Sequence, residues 1–370
     1  MILHLLLDEK FSDYVVEQFA SPDMKSDFVL VAYSREMTHF HYINKVRVFS
    51  PRVMSDYQQL LDEISNYEAV IFHGLFWYWQ AWLINRMPMN VKVAWVCWGG
   101  EIYGRPDTIA TFLKPLSRLA YRMHMRNAKQ SLGYILPKET MCKADYCLTN
   151  LDAEFEYIKN YLGSPIQHLS YNYYTIEETL GTLKEHRCSG RNIFVGNSAT
   201  IENNYLETFL QLKQVGIKDR RIIVPLSYGE AWVKNMILKF GRLLLGKRFA
   251  PLVDFMPREE YNKMMLNCAV MIQPHLREQA HGNIVTGLWL GMRVYLSENG
   301  IDYQHFKRIG CKVFSIEHDL RRGKPDALEP MPEAEVLHNR QVLMKVYGRE
   351  YIDAANKLIV KALTKHGSVI

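Results

Sequence analysis

Nine short apolar runs, each four to seven residues long and rich in Val, Ile and Leu, recur along the chain with helical patterns between them. They cover residues 2–7, 28–32, 69–72 and 91–97 in the first half, and 192–195, 221–224, 268–272, 293–296 and 312–315 in the second. Runs this short and this continuous, leading into Gly, Asn, Pro or Ser, are the mark of parallel strands buried on both faces and joined by crossover helices. Two such series predict an α/β chain of two Rossmann-like domains. The polar, aperiodic stretch 184–190 divides them, which puts an N-terminal domain at 1–183 and a C-terminal domain at 184–345. The remaining 346–370 segment reads as a helix, apolar at Ile352, Ala355, Leu358, Ile359 and Ala362, that packs back on the N-terminal domain.

Composition narrows the function. With 370 residues, 48% hydrophobic and 23% charged, the chain is neither disordered nor collagen-like, and it is longer than one core serves. The net charge of +6 is modest, and the aromatic residues do not interleave with the basic ones, so nucleic acid is not expected as a partner. Six cysteines without CxxC spacing suit reduced, mostly buried thiols in a cytoplasmic compartment. Residues 1–7 have no basic leader, and the longest charge-free stretch, 69–85, is too short and polar for a bilayer span. A soluble or membrane-peripheral protein is the expectation.

In open α/β sheets ligands bind beyond the carboxyl ends of the strands, so the residues following each run carry the chemistry. Val195 leads into Gly196-Asn197-Ser198, a glycine followed by hydrogen-bonding side chains that suits phosphate, although an ordinary βα turn reads the same way. The next run ends near Tyr228. After 268–272 come Arg277, then Gly282-Asn283 at a predicted helix start, an arrangement that suits a diphosphate: a forked guanidinium beside oriented N–H groups. Arg277 alone equally suits a surface ion pair. Glu298, just past 293–296, is placed to accept hydrogen bonds from a ribose.

The first half offers other groups. Trp98-Gly99-Gly100-Glu101 puts a carboxylate in a tight turn at a strand end, as a general base for an acceptor hydroxyl would require. His73, at the end of 69–72, is a second base, a phosphate partner or a hydrogen-bonded structural residue. In 112–126 the apolar Phe112, Leu113, Leu116, Leu119, Ala120 and Met123 predict a core stripe. Lys114, Arg118, Arg122 and Arg126 recur every four residues on another face, either solvated or set against anionic lipid headgroups or a lipid diphosphate. The basic-apolar stretch 239–248 is a second candidate for membrane contact.

Several of these segments resemble glycosyltransferase family 56, the 4-acetamido-4,6-dideoxygalactosyltransferases. The likeness runs in order through Trp98-Gly99-Gly100-Glu101-Ile102-Tyr103, residues 112–120, Val195-Gly196-Asn197-Ser198, Val224-Pro225 with Tyr228, and Arg277-Glu278-Gln279-Ala280-His281-Gly282. It spans about residues 70–305, with Glu101 where the family carries Asp and Ala280 where it carries Gly. The resemblance implies a GT-B fold. It further implies transfer of a deoxyamino hexose from a dTDP-sugar, held by the C-terminal domain, to a polyprenyl-diphosphate-linked saccharide at the inner membrane surface. UDP- or GDP-sugar transfer, a sugar-nucleotide epimerase and a non-catalytic assembly scaffold remain alternatives. No DxD-type motif stands beside the phosphate features, so no metal and no cofactor other than the donor substrate is expected.

Overall fold

The computed structural model describes residues 1–33, 37–127, 134–217, 219–324 and 326–364. By contacts the chain forms two compact units: Met1–Arg105 with Ser131–Thr175 and Arg349–Ile370, and Pro106–Gln130 with Ile176–Gly348. Each is built on one parallel sheet.

The first sheet holds β1 (Ile2–Leu7), β2 (Ser26–Val31), β3 (Arg47–Phe49), β4 (Ala69–His73), β5 (Lys92–Val96), β6 (Tyr146–Thr149) and β7 (Gln167–Ser170), in the order β3-β2-β1-β4-β5-β6-β7. All six residues of β1 are buried: β2 and β4 flank it in parallel, and the helix residues Val15, Val16, Phe19 and Ile359 pack with its Ile2 and Leu6. The second sheet holds β8 (Asn192–Val195), β9 (Ile222–Pro225), β10 (Phe249–Leu252), β11 (Cys268–Gln273), β12 (Arg293–Leu296) and β13 (Phe314–Ser315), ordered β10-β9-β8-β11-β12-β13. Strand order reverses at β1/β4 in one sheet and at β8/β11 in the other. Those crevices are where the fold places a ligand.

All nine runs read from the sequence are strands, with ends shifted by up to two residues. The four it missed lack the signal. β3 and β7 are edge strands with one buried residue between them, and β10, also an edge, contains Pro251, which only an edge tolerates. β6 is a four-residue Tyr-Cys-Leu-Thr run.

Tertiary packing draws the units differently from the sequence. Residues 176–183 join the second unit, where Ile176, Leu180 and Leu183 pack with Leu288 and Trp289. Residues 106–127 also belong there, with Ile109 and Leu113 in one cluster with Ile193, Tyr205 and Phe209. The final helix, Arg349–Leu363, returns to the first unit: Ile359 and Leu363 pack with Ile2, Leu6 and Leu30, and Lys92 Nζ donates to the Ala362 carbonyl at 2.6 Å. Its Leu358 points outward, whereas Asn356 is buried, and residues 365–370 of that expected segment lie outside the described ones. The six cysteines are unpaired, and burial pushes the Cys268 and Cys311 thiols up to about 12. Among the described residues no helix is long and apolar enough to cross a membrane.

Candidate functional site

At the switch point of the second unit, β8 ends in a turn that requires glycine. Gly196 has φ +67°, and a Cβ there would stand 2.3 Å from the Tyr205 hydroxyl, which donates to the Ser198 carbonyl at 2.8 Å. The backbone is thereby folded tightly enough to present Asn197 and Ser198 side by side. Gln279, which the sequence did not single out, joins them to the β11 loop: its Nε2 donates to Asn197 Oδ1 at 2.9 Å and Thr200 Oγ1 at 3.1 Å. Asn203 Nδ2 completes the cluster with bonds to the Ser198 carbonyl and Thr200 Oγ1. Asn197 Nδ2 reaches out to the hydroxyl of Tyr228, whose residue surface is 61% exposed. Gln273 Oε1, Gln279 Oε1 and Asn203 Oδ1 are buried without a hydrogen-bond partner. Acceptors left this way are satisfied by water or a ligand that donates.

The neighbouring loop carries the charges. Arg277 is anchored, with Nε 3.2 Å from Glu202 Oε1 and an Nη1 bond to the Glu278 carbonyl at 2.8 Å. Ala280, at φ +60°, turns the chain into helix His281–Leu290 and supplies no side-chain cap, an arrangement that suits an anion at the helix start. The helix begins one residue before Gly282. Asn283 is committed to the Tyr261 hydroxyl at 2.9 Å. Glu278 and Asp302 are both raised by burial, Glu278 also by repulsion from Asp302. Glu298 stands apart from this cluster: its carboxylate pairs with His318 at 2.9 Å, and its N–H bonds Glu317.

In the first unit, Glu101 sits in the short helix Gly100–Tyr103 behind Gly99 at φ +85°. Its Oε1 accepts from Trp95 Nε1 and the Trp98 N–H, both at 3.0 Å, and from the Leu75 N–H at 3.4 Å. The residue is 6% exposed, and Oε2 has no partner. Burial raises the carboxyl to about 7, against the pull of those N–H groups. His73 is different. Its two nitrogens bond His4 at 3.2 Å and the Tyr173 hydroxyl at 2.9 Å, and burial holds its pKa well below the usual value. With both nitrogens engaged inside the core, His73 has the surroundings of the hydrogen-bonded structural residue rather than those of a second base.

The basic helix Pro115–Asn127 departs most from expectation. Its inward side makes polar contacts beside Tyr121, which packs on the apolar cluster: Ser117 Oγ donates to Glu207 at 2.7 Å, and His124 stacks on Trp232 at 4.1 Å. Leu116, Leu119 and Met123, expected in the core, are 39%, 56% and 58% exposed. The four-residue basic stripe divides. Lys114 pairs with Glu317 at 2.9 Å and Arg118 bonds the Leu113 carbonyl at 2.8 Å, while Arg122 and Arg126 share the outer face with the three apolar side chains. In 239–248 the buried residues are Gly241 and Leu245, with Lys239, Phe240, Arg242, Leu243, Lys247 and Arg248 outside.

By sequence, no protein-family model and no curated protein matches the chain. By structure it is similar to a glycosyltransferase from Rickettsia africae at TM-score 0.63 and 11% identity, over 98% of each chain. It is also similar to the UDP-forming α,α-trehalose-phosphate synthase of Burkholderia xenovorans in complex with glucose-6-phosphate, at TM-score 0.61 and 9% identity, over 98% of this chain and 99% of that one. A third similar structure is that of trehalose-6-phosphate from E. coli bound with UDP-2-fluoro glucose, at TM-score 0.61 and 10% identity over the whole of both chains. The fold is GT-B. In this GT-B chain the polar cluster of the second unit and Glu101 of the first both stand at carboxyl ends of parallel strands, one sheet each.

Proposed function

We propose that the chain is a glycosyltransferase that holds a nucleotide-sugar donor at the carboxyl edge of the second unit's sheet. The carrying observation is the buried Asn197–Ser198–Gln279 cluster, with unpartnered amide oxygens beside an uncapped helix start. Ribose and sugar hydroxyls donate to such oxygens, and a diphosphate accepts from the helix N–H groups and from an Arg277 guanidinium that Glu202 orients. Tyr228 offers an exposed ring for the base. A structural relative carrying a UDP-sugar analogue supports the donor class. The likeness of residues 98–103 and 277–282 to family 56 supports dTDP as the nucleotide and a deoxyamino hexose as the sugar transferred to a polyprenyl-diphosphate-linked saccharide. Glu101, through Oε2, is the base for the acceptor hydroxyl.

A thermal-shift series with dTDP, UDP, GDP and ADP tests the donor. Saturation at about 100 times Kd stabilises the native state by about 2.7 kcal/mol, so the preferred nucleotide raises Tm by several degrees. Selective stabilisation by dTDP is expected, and no shift with any of the four would sink the enzymatic reading in favour of a scaffold.

The outer face of helix Pro115–Asn127 supports a membrane-peripheral location, since Leu116, Leu119 and Met123 can enter the headgroup boundary while Arg122 and Arg126 meet anionic phosphates. Liposome co-sedimentation is expected to depend on anionic lipid and to weaken with salt. Replacing both arginines with alanine should lower the partition coefficient by roughly 30-fold, at about 1 kcal/mol per charge. Binding that ignores lipid charge and the double substitution removes this location.

A further inference from the structure

One cluster in the second unit has more negative and unpartnered groups than a diphosphate would use. Glu278 lies in the loop after β11, His281 opens the following helix, and Asp302 lies in the first turn of helix Ile301–Arg308 after β12. One ligand atom from each lies within 4.8 Å of those of the other two. Asp302 is 2% exposed, and its two oxygens differ. Oδ2 is held by His275 Nε2 at 3.0 Å and by the Gln279 N–H at 3.3 Å, whereas Oδ1 is buried with no partner. Neither nitrogen of His281 has a partner either, although both are buried. Its ring is fixed by stacking on Phe306 at 5.5 Å and by the edge contact with Tyr347 at 4.9 Å.

A buried imidazole with two idle nitrogens beside a buried carboxylate oxygen with no donor is an arrangement that costs free energy unless something sits between them. A divalent cation would satisfy all three groups at once.

We propose that Glu278, His281 and Asp302 form a binding site for a divalent transition-metal ion, Zn2+ or Mn2+. One imidazole with two carboxylates suits these ions better than Mg2+ or Ca2+, which favour oxygen alone. Coordination at about 2.0–2.2 Å brings ligand atoms to roughly 3.3 Å apart, a contraction that side-chain rotation supplies. The bonds from His275 and Gln279 to Asp302 Oδ2 leave Oδ1 aimed at the metal, as outer-shell partners do in metalloproteins. Three protein ligands leave a further coordination position open. The site departs from the metal-free expectation because Asp302 comes from beyond the next strand, 21 residues past His281, at no spacing a linear motif encodes. It goes beyond the donor-binding reading and does not depend on it.

The test uses the full-length chain stripped with EDTA and titrated calorimetrically with ZnCl2 or MnCl2 in the absence of nucleotide. About one equivalent should bind per chain, and His281→Gln, Asp302→Asn and Glu278→Gln should each weaken binding by about 10- to 100-fold or more. His41→Gln, at an exposed imidazole of the other unit, should leave the isotherm unchanged. Circular dichroism melts establish that the variants fold. For any that do not, pulsed EPR of the Mn2+-loaded native chain reads the imidazole directly through its nitrogen coupling. Sub-stoichiometric binding, wild-type affinity in all three variants, or Mn2+ without nitrogen coupling overturns the site. Because no nucleotide is present, such a failure leaves the donor reading to its own thermal-shift result.

Discussion

Replacing Glu101 with Gln is expected to lower kcat by about 100- to 10,000-fold while leaving donor Kd unchanged, the range a positioned general base contributes. Gln keeps an Oε1 that can accept from Trp95, Trp98 and Leu75, so the turn that the carboxylate organises survives. What is lost is the proton-accepting Oε2. A carboxyl held at about 7 also gives the wild type a pH signature: kcat/KM rises as pH rises through about 7, because only the ionised form accepts a proton. Stability runs the opposite way. The folded-state pKa is raised above the unfolded value of 4.5, so the folded protein binds the proton more tightly. That contribution is fully present below about 4.5 and is lost as pH rises to about 7, a change on the order of 3 kcal/mol. Glu101→Gln removes it, so the Tm of the variant should gain on wild type across this window. Melts from pH 4 to 8 together with single-turnover kinetics separate the two effects. Retained turnover in a folded variant would reduce Glu101 to a residue that holds the turn.

Arg277→Ala is expected to weaken donor binding by about 10- to 100-fold, the worth of a charge-assisted contact to phosphate. The same change strands Glu202, whose side chain is 8% exposed and which now neutralises the guanidinium at 3.2 Å, so the alanine variant should also melt lower. Arg277→Lys keeps the charge and loses the fork, and on a phosphate role it should fall between wild type and alanine. Calorimetric titration with the nucleotide identified by thermal shift measures this. Equal Kd in wild type and both variants would leave Arg277 a structural role, held by Glu202 and the Glu278 carbonyl.

The strand ends were legible because the residues that make them are local. A run such as Val270-Met271-Ile272 followed by Pro274 declares a buried strand and its end within a few residues, and glycine declares a turn such as that at Gly196, where φ is +67°. Gln279 was legible only as a member of the Arg277–Gly282 segment that resembles family 56: nothing local gave it a role, and its importance comes from Asn197, 82 positions earlier. Helix Pro115–Asn127 misled for a related reason. Its Leu116, Leu119 and Met123 have the spacing of a core stripe, but Glu207 caps the helix through Ser117, and Trp232 stacks on His124, which turns the other face inward.

Sequence by itself determined the architecture here: buried parallel strands, two sheets, and the turns at which each chain segment can approach a ligand. Those features follow from hydrophobic periodicity and backbone sterics, which act over fewer than about ten residues. Tertiary structure alone decided which side chains share a site. Glu101 keeps a raised carboxyl because its burial outweighs the pull of the Trp95, Trp98 and Leu75 N–H groups, and His73 has both nitrogens engaged by His4 and Tyr173. Residues 106–127 changed units, and Asp302 came to lie beside His281, through packing between segments far apart in the chain. Burial and electrostatics depend on these distant neighbours, and neighbours are chosen by the fold.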